Sequence, residues 1–351
     1  MKQAIKLADV AKAAGVSQGT ASNAFSRPEL VRPEVRERVR QEAERLGYRG
    51  PDPRGRLLRA GKVNAIGVVV MGNLSYFFDD PYNRQFMAGL AEVADARGAG
   101  VSLISAANKV QAAWSIETAL VDGFIVQCVE DGDRLIELAR RRGLPFVACD
   151  LDPGPGASWV RTDDLGGARM AADHLARLGH KRFAVLALEL ADDGRVGPVD
   201  AARRAVADYS GARERLDGYE EALTAAGIDF STVTVIEAPN DRAGSKAGAA
   251  LVLDHAPDAT AVLCMSDVGA LSVMAEAERR GLRIPHDLSV VGFDDVPEAA
   301  AATPPLTTIA QPIVEKGRTA ARLILDSAGM PQHVNMPVHL VVRGSTAPPR
   351  R

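Results

Sequence analysis

Several residues in this chain are of types that could do chemistry, and their spacing separates the possibilities. His174 and His180 stand six residues apart with no Cys or carboxylate at ligand spacing, which indicates neither a metal site nor a catalytic base. Cys128, Cys149 and Cys264 are scattered, each inside an apolar run, as befits buried thiols in a reducing compartment. Asp150, Ser266 and Asp294 each sit just past an apolar, strand-like run. Ligands of open α/β sheets bind beyond the carboxyl ends of strands, so these three are candidate contacts. No Gly-x-Gly-x-x-Gly turn follows a strand, and no nucleophile–base pair stands out. A Rossmann enzyme is therefore disfavoured, and no cofactor is expected.

A different chemistry is written earlier in the chain. Pro53 to Lys62 sets Leu57 and Leu58 among Arg54, Arg56, Arg59 and Lys62. Nothing local can bury the two leucines. An apolar side chain flanked by cations suits a DNA minor groove, where the wedge parts a base step and cations such as Arg56 hold phosphates. A solvated linker is the plain alternative for this stretch alone.

The elements that must carry these residues follow from composition and periodicity. At 351 residues two or three domains are expected, and 46% hydrophobic with 25% charged residues is a globular balance. The net charge of -3 hides an asymmetry: residues 1–62 hold 14 Lys/Arg against 7 Asp/Glu, and the remainder holds 28 against 38. A basic head on an acidic body indicates a polyanion-binding module joined to something else. The N-terminus lacks the apolar core of a signal peptide, and no run of about 18 apolar residues could span a membrane. A cytoplasmic protein without membrane contact is expected.

In the basic head, Leu7, Val10, Ala11 and Ala14 form a helical stripe that Gly15 breaks. Ser17 can cap a second short helix, with Ala21, Ala24 and Phe25 on its inner face. Pro33 opens a third, lined by Val35, Val39, Ala43 and Leu46 and ended by Gly47. Two short helices across a tight turn make a helix-turn-helix, whose second helix enters the major groove. The runs Asp9-Val10-Ala11-Lys12-Ala13-Ala14-Gly15-Val16-Ser17, Thr20-Ala21-Ser22 and Leu46-Gly47-Tyr48 resemble the headpiece of the LacI/GalR family of bacterial transcriptional regulators. The resemblance implies a hinge helix in the basic linker, with Leu58 as its minor-groove leucine. It also implies that Gln18, Gly19 and Asn23 occupy base-reading positions, with Ser17, Thr20 and Ser22 in the same DNA-facing set. Gln and Asn can each bond an adenine edge in two places, though a phosphate contact or plain exposure is open for either.

The chain departs from that pattern at Lys6 and Arg32, which stand where Ser or Thr is usual at the starts of the first and third helices. A lost cap costs about 0.5–2 kcal/mol, which is tolerable if both cations meet phosphates. Gly55 stands where the family has alanine and weakens a helix already marginal at this length, so the hinge is expected to order only on DNA.

From Val63 onward apolar strands alternate with amphipathic helices. The strands expected are Ala65–Val70, Val101–Ser105, Gly123–Val126 and Pro145–Cys149, then Phe183–Ala187, Thr234–Ile236, Ala261–Met265 and Leu288–Gly292. Two such runs predict an α/β body of two Rossmann-like lobes with parallel sheets. Asp163-Asp164, His174-Leu175, Leu178-Gly179-His180, Arg215-Leu216-Asp217-Gly218-Tyr219, Ser266-Asp267, Val290 to Asp295 and Pro305-Leu306-Thr307-Thr308 are similar to the family's effector core. The resemblance implies a headpiece over 1–50, a hinge over 51–62 and a two-lobed, type I periplasmic-binding-protein-like domain over 63–351. The chain should cross back between lobes near 310–340.

The same resemblance implies effector contacts from Arg215 and Asp294, joined by Asp150, Ser266 and Gln311, with Tyr82 on the first lobe. Carboxylates with one guanidinium suit a sugar, whose hydroxyls both donate and accept. Arg215 and Asp294 could instead pair with each other, and Asp267 could cap a helix. Where many members place an aromatic platform this chain reads Ala238-Pro239-Asn240, so less stacking is expected. Both histidines are structural in the family pattern. Residues 191–211, rich in Asp, Gly and Arg, read as a long loop, either a lid or a disordered excursion.

The function expected is a DNA-binding transcriptional repressor, not an enzyme, whose affinity for a pseudo-palindromic operator is set by a sugar between the lobes. One recognition helix makes few base contacts, so a homodimer is expected. After the strand Val338–Val342 no leucine heptad remains to make a tetramer. A sugar-binding protein for transport is the alternative, and the helix-turn-helix argues against it.

Overall fold

A computed structural model describes residues 5–50, 62–127, 132–151, 154, 156–326 and 330–350. The expected hinge helix, with Gly55, Arg56 and Leu58, lies outside the described residues, as does Cys128. The chain divides into two compact units, one ending at Val63 and the other beginning at Asn64.

In the first unit α1 (Leu7–Ala13), α2 (Gln18–Ser26) and α3 (Pro33–Leu46) close around Val10, Ala21, Ala24, Val39 and Ala43. Gly15, at φ +64, makes the turn between α1 and α2, a conformation that a side chain resists. The Ser17 hydroxyl accepts from the Thr20 amide at 3.1 Å and caps α2. Lys6 and Arg32 make no side-chain cap, since a cation has no lone pair to offer. Asp9 compensates in α1, its carboxylate accepting the Lys6 backbone N–H at 2.9 Å. In α3 Pro33 has no N–H to satisfy.

The second unit contains two sheets. The first has the order β12-β5-β4-β3-β1-β2, with every pair parallel. Its strands are β1 (Ala65–Val70), β2 (Gly100–Ser105), β3 (Gly123–Gln127), β4 (Phe146–Cys149), β5 (Ser158–Thr162) and β12 (His333–Met336). Helices α4 (Leu74–Asp79), α5 (Pro81–Arg97), α6 (Lys109–Thr118), α7 (Gly132–Arg141) and, from much later in the chain, α14 (Ile313–Leu325) belong to this lobe. The second sheet has the order β13-β11-β10-β9-β6-β8-β7. Its strands are β6 (Phe183–Leu188), β7 (Gly197–Pro198), β8 (Thr234–Ala238), β9 (Ala261–Cys264), β10 (Ser289–Asp294), β11 (Thr307–Ala310) and β13 (His339–Val341). Edge strands β7 and β13 pair antiparallel, and the strands between are parallel. Helices α8 (Asp164–Arg177), α9 (Ala201–Ala205), α10 (Ser210–Ala225), α11 (Arg242–His255), α12 (Asp267–Arg279) and α13 (Pro297–Ala301) complete this lobe.

Strands such as Ile66–Val70 and Val290–Phe293 are buried along their length, which is why they read as unbroken apolar runs. The chain passes between lobes after Thr162, after Ala310 and after Met336. In each sheet the strand order reverses, beside β1 in the first and beside β6 in the second, and such reversals open a crevice at the carboxyl ends. Helices α5 and α14 cross backbone to backbone: a Cβ on Gly89 would collide with the Val314 carbonyl, and one on Gly317 with that of Phe86.

Residues 191–211 are not a long loop. They contain β7, α9 and the start of α10, tied down by an ion-pair cluster. The fully buried Glu237 accepts from Arg203 at 2.7 Å, and Arg203 also binds Asp193 at 2.7 Å. His174 and His180 hold the final segment, bonding the Thr346 hydroxyl at 3.0 Å and the Ala347 carbonyl at 2.9 Å. Cys149 and Cys264 are buried free thiols. No helix among the described residues is long and apolar enough to cross a membrane.

Candidate functional site

Between the lobes lies a cleft with about 910 Å³ of atom-free space, part of it open solvent. Tyr82, Asp150, Arg215, Ser266 and Asp294 all line it, brought together from both lobes. Gln311 stands behind the wall and reaches it through Asp294.

The first-lobe wall is built on the end of β4. Asp150 follows that strand at φ +56, a left-handed conformation that turns the chain abruptly. Its two oxygens each accept from Lys316 Nζ at 2.8 Å, and Oδ2 also accepts from the Tyr82 hydroxyl at 2.9 Å. Lys316, on α14, is fully buried. Asp80 caps α5 from the cleft side, and burial pushes its carboxyl up to about 6 against the bonds it accepts from the Tyr82 amide and Asn83.

The second-lobe wall is built on β9, β10 and α10. Asp294 and Asp295 take successive positive φ values of +125 and +59 at the end of β10. Arg215 bonds Asp164 through Nε at 2.7 Å, bonds the Met265 carbonyl, and lies 3.7 Å over the Phe293 ring. Burial works against its charge, but Asp164 and Asp294 outweigh burial and raise its pKa further. Asp294 is pushed well above the carboxylate range by burial, and the nearby Asp267 and Asp80 add to this while Arg215 opposes it. Gln311 Nε2 donates to Asp294 at 2.7 Å. Ser266 caps α12, accepting from the Gly269 amide at 3.0 Å and donating to Asn240 Oδ1 at 2.6 Å.

In the headpiece, Gln18 and Gly19 are exposed at the start of α2, and Thr20, Ser22 and Asn23 are half-buried. The Ser17 and Thr20 hydroxyls bond each other at 2.9 Å. The Phe25 ring meets Tyr48 edge-on at 5.8 Å, which fixes α2 against the end of α3. Lys6 and Arg32 are exposed at the starts of α1 and α3.

The model for bacterial regulatory proteins of the lacI family matches residues 6–50, and that for a periplasmic binding protein-like domain matches 172–346. An HTH-type transcriptional regulator of Mycobacterium tuberculosis is 39% identical over 98% of this chain and 97% of its own. The chain belongs to the lacI family. Among solved structures, the lac repressor dimer bound to operator and the anti-inducer ONPF aligns at TM-score 0.74 with 28% identity, covering 98% of this chain and 100% of that one. The complex of the transcriptional regulator CelR with cellobiose aligns at TM-score 0.69 with 29% identity, covering 97% and 99%.

This lacI-family protein is thus a DNA-binding transcriptional regulator with an effector domain. Two alternatives from the sequence do not hold in it. Arg215 pairs with Asp164 and not with Asp294, and Asp267 is not a cap. Ser266 caps α12, while Asp267 is fully buried, accepts from Thr308 Oγ1 and the Val296 amide, and is raised to about 7 by burial. Ala238-Pro239-Asn240 brings no aromatic ring, while Tyr76, Tyr82 and Tyr209 line the cleft. Sequence reasoning gave no cleft role to Lys316, Asp80 or Asp164, the last of which it noted only within a motif. Lys316 left a signal: it falls on the face of α14 that carries Ile313, Gly317, Ala320 and Ile324, where an ordinary lysine does not belong.

Proposed function

We propose that this regulator is a cytoplasmic homodimeric repressor without catalytic activity, and that its effector is a sugar held between the lobes. The observation that carries the reading is the convergence of Arg215 and Asp294 from one lobe with Asp150 and Tyr82 from the other on a single cleft. Hydroxyls that donate and accept can satisfy carboxylates and a guanidinium at once, and the tyrosines offer faces for a sugar ring. The CelR–cellobiose complex, a structural neighbour, holds a sugar. The lac repressor neighbour is a dimer on operator, which supports the same assembly here.

On the DNA side, Gln18 and Asn23 read bases, Ser17, Gly19, Thr20 and Ser22 bring α2 close to the groove, and Lys6 and Arg32 hold phosphates. The segment 51–62 acts as the hinge between a headpiece over 1–50 and an effector domain over 63–351, with Arg56 on phosphate and Leu58 as the wedge. A ligand can shift DNA affinity only by binding the two lobe arrangements unequally, and DNA then alters ligand affinity by the same factor.

The test pairs a thermal-shift screen of sugars with selection of genomic DNA fragments by the purified protein. A sugar that binds the folded state raises the unfolding temperature. Arg215→Ala should abolish that rise while the selected pseudo-palindrome is still bound. A protein that no sugar stabilises, or an Arg215→Ala variant with the full response, would sink the sugar reading.

A further inference from the structure

Lys316 does more than balance a charge. Its ammonium has three protons and no lone pair, so every neighbour must accept from it. Besides Asp150, the Tyr82 hydroxyl accepts at 2.9 Å, Gln311 Oε1 at 3.2 Å and Thr162 Oγ1 at 3.3 Å. That requirement fixes the direction of the surrounding bonds. Tyr82 turns its own proton to Asp150 Oδ2, and Thr162 turns its proton to Gln311 Oε1 at 3.0 Å. With its carbonyl occupied from two sides, Gln311 presents its amide protons to Asp294. One buried cation of the first lobe thereby orients the donor that meets the second lobe's cleft carboxyl, across the crossover after Ala310.

The cleft lining shows what such an arrangement selects. Asp80, Asp150, Asp164, Glu189 and Asp294 line it against Arg215, whose Nε is already bonded to Asp164. Gln127, 2% exposed at the end of β3, donates to Asn83 at 3.1 Å, while its Oε1 has no hydrogen-bond partner. A buried acceptor without a donor is costly, so this wall favours a ligand that brings protons. A phosphate or carboxylate would bring negative charge into a poorly screened cleft whose two cations, Lys316 and Arg215, are already paired with Asp150 and Asp164.

We propose that Lys316 is the positioning residue of the effector cleft, orienting Asp150, Tyr82 and Gln311 so that the site takes a hydroxyl-rich, unphosphorylated ligand. The ligand half rests on the sugar reading above; the Lys316 half can be read without a ligand.

Lys316→Met keeps an unbranched side chain of nearly the same reach and removes its charge. In the ligand-free full chain, the nitrogen-15 NMR signals of the Gln311 side-chain amide should move toward those of an exposed glutamine. A lysine that serves only as a counter-charge leaves Gln311 held by Asp294 and Thr162; unmoved signals overturn the proposal. Should Lys316→Met fail to fold, the double variant Lys316→Met/Asp150→Asn removes both charges, and its Gln311 signals decide in the same way. The ligand half is read by calorimetric titration with ribose, glucose and cellobiose, and with ribose 5-phosphate and glucose 6-phosphate. A neutral sugar should bind at least tenfold more tightly than its phosphate ester, and its affinity should fall at least tenfold in Lys316→Met. An ester that binds as tightly as its sugar, or a variant with unchanged affinity, overturns the selection. If none of the three sugars binds the parent, the sugar reading and the ligand half fail together, and the amide signals alone judge Lys316.

Discussion

Asp150 in the first lobe and Asp294 in the second both sit in positive-φ backbone at the end of a parallel strand, yet the two lobes treat them differently. Asp150 has a buried ammonium on both oxygens. Asp294 has an amide from Gln311, and its nearest guanidinium is engaged by Asp164. Burial therefore raises Asp294, and raises Asp267 behind it to about 7. The first wall presents a carboxyl group with a buried ammonium on both oxygens. The second presents Asp294, a carboxyl that burial pushes toward its protonated form.

Removing each carboxylate should break this comparison most visibly. Asp150→Asn strands a fully buried lysine and should cost about 3–5 kcal/mol in urea unfolding. Asp294→Asn keeps an oxygen for Gln311 and tolerates the same backbone, so about 1 kcal/mol is expected, with loss of effector response. Equal costs for the two would mean that the lobes do not differ in the way described.

The dependence on pH sharpens the contrast. A carboxyl raised in the folded state binds its proton there before the unfolded chain does, so its contribution to stability falls as pH rises toward the folded value. For Asp80 that window runs from the ordinary 3.8 to about 6, and for Asp267 from 3.8 to about 7. Each can change stability by at most about 1.4 kcal/mol per pH unit. His174 and His180 oppose them: burial lowers both, so stability from the histidines falls as pH drops below the ordinary 6.5. Comparing the parent with single Asn variants separates these effects. The parent's advantage over Asp267→Asn should begin to grow as pH falls through about 7, and that over Asp80→Asn only below about 6. Two flat differences would remove the raised carboxyls from the account.

The smallest effect concerns the ion pair that joins the lobes outside the cleft. Arg84 on α5 meets Glu298 on α13 at 2.8 Å, both nearly half exposed. Such a pair contributes between about 0 and 1 kcal/mol, so Glu298→Gln should leave the unfolding midpoint almost unchanged. If it helps hold the lobes together, small-angle scattering of the ligand-free variant should show a larger radius of gyration, with the shift shrinking in high salt. An unchanged radius would reduce the pair to a surface contact.

Much of this architecture is legible in the sequence, because its signals are local. Gly15, Ser17, Pro33 and Gly47 punctuate the headpiece helices, and the central strands are apolar throughout. Short strands such as β12, His-Val-Asn-Met at a sheet edge, carry no such pattern. Residues 191–211 look like a loop by composition because Glu237, which organises them, lies on another strand. The candidate cleft residues announce themselves by following strands. Their partners do not: Asp164 meets Arg215 from 51 positions away, and Lys316 meets Asp150 from 166. A lysine on an apolar helical face shows that something must satisfy it, but only the fold says what.

The close crossing of α5 and α14 has a consequence for how the protein is made. The two glycines at that crossing belong to helices beginning at Pro81 and Ile313, so the first lobe cannot be closed until the second of these helices has been translated. Contacts this distant in sequence form late, whereas the headpiece ends its last helix at Leu46 and its contacts are local. During synthesis the element that addresses DNA is available long before the cleft that governs it. A chain interrupted before Ile313 carries the reader without the governor.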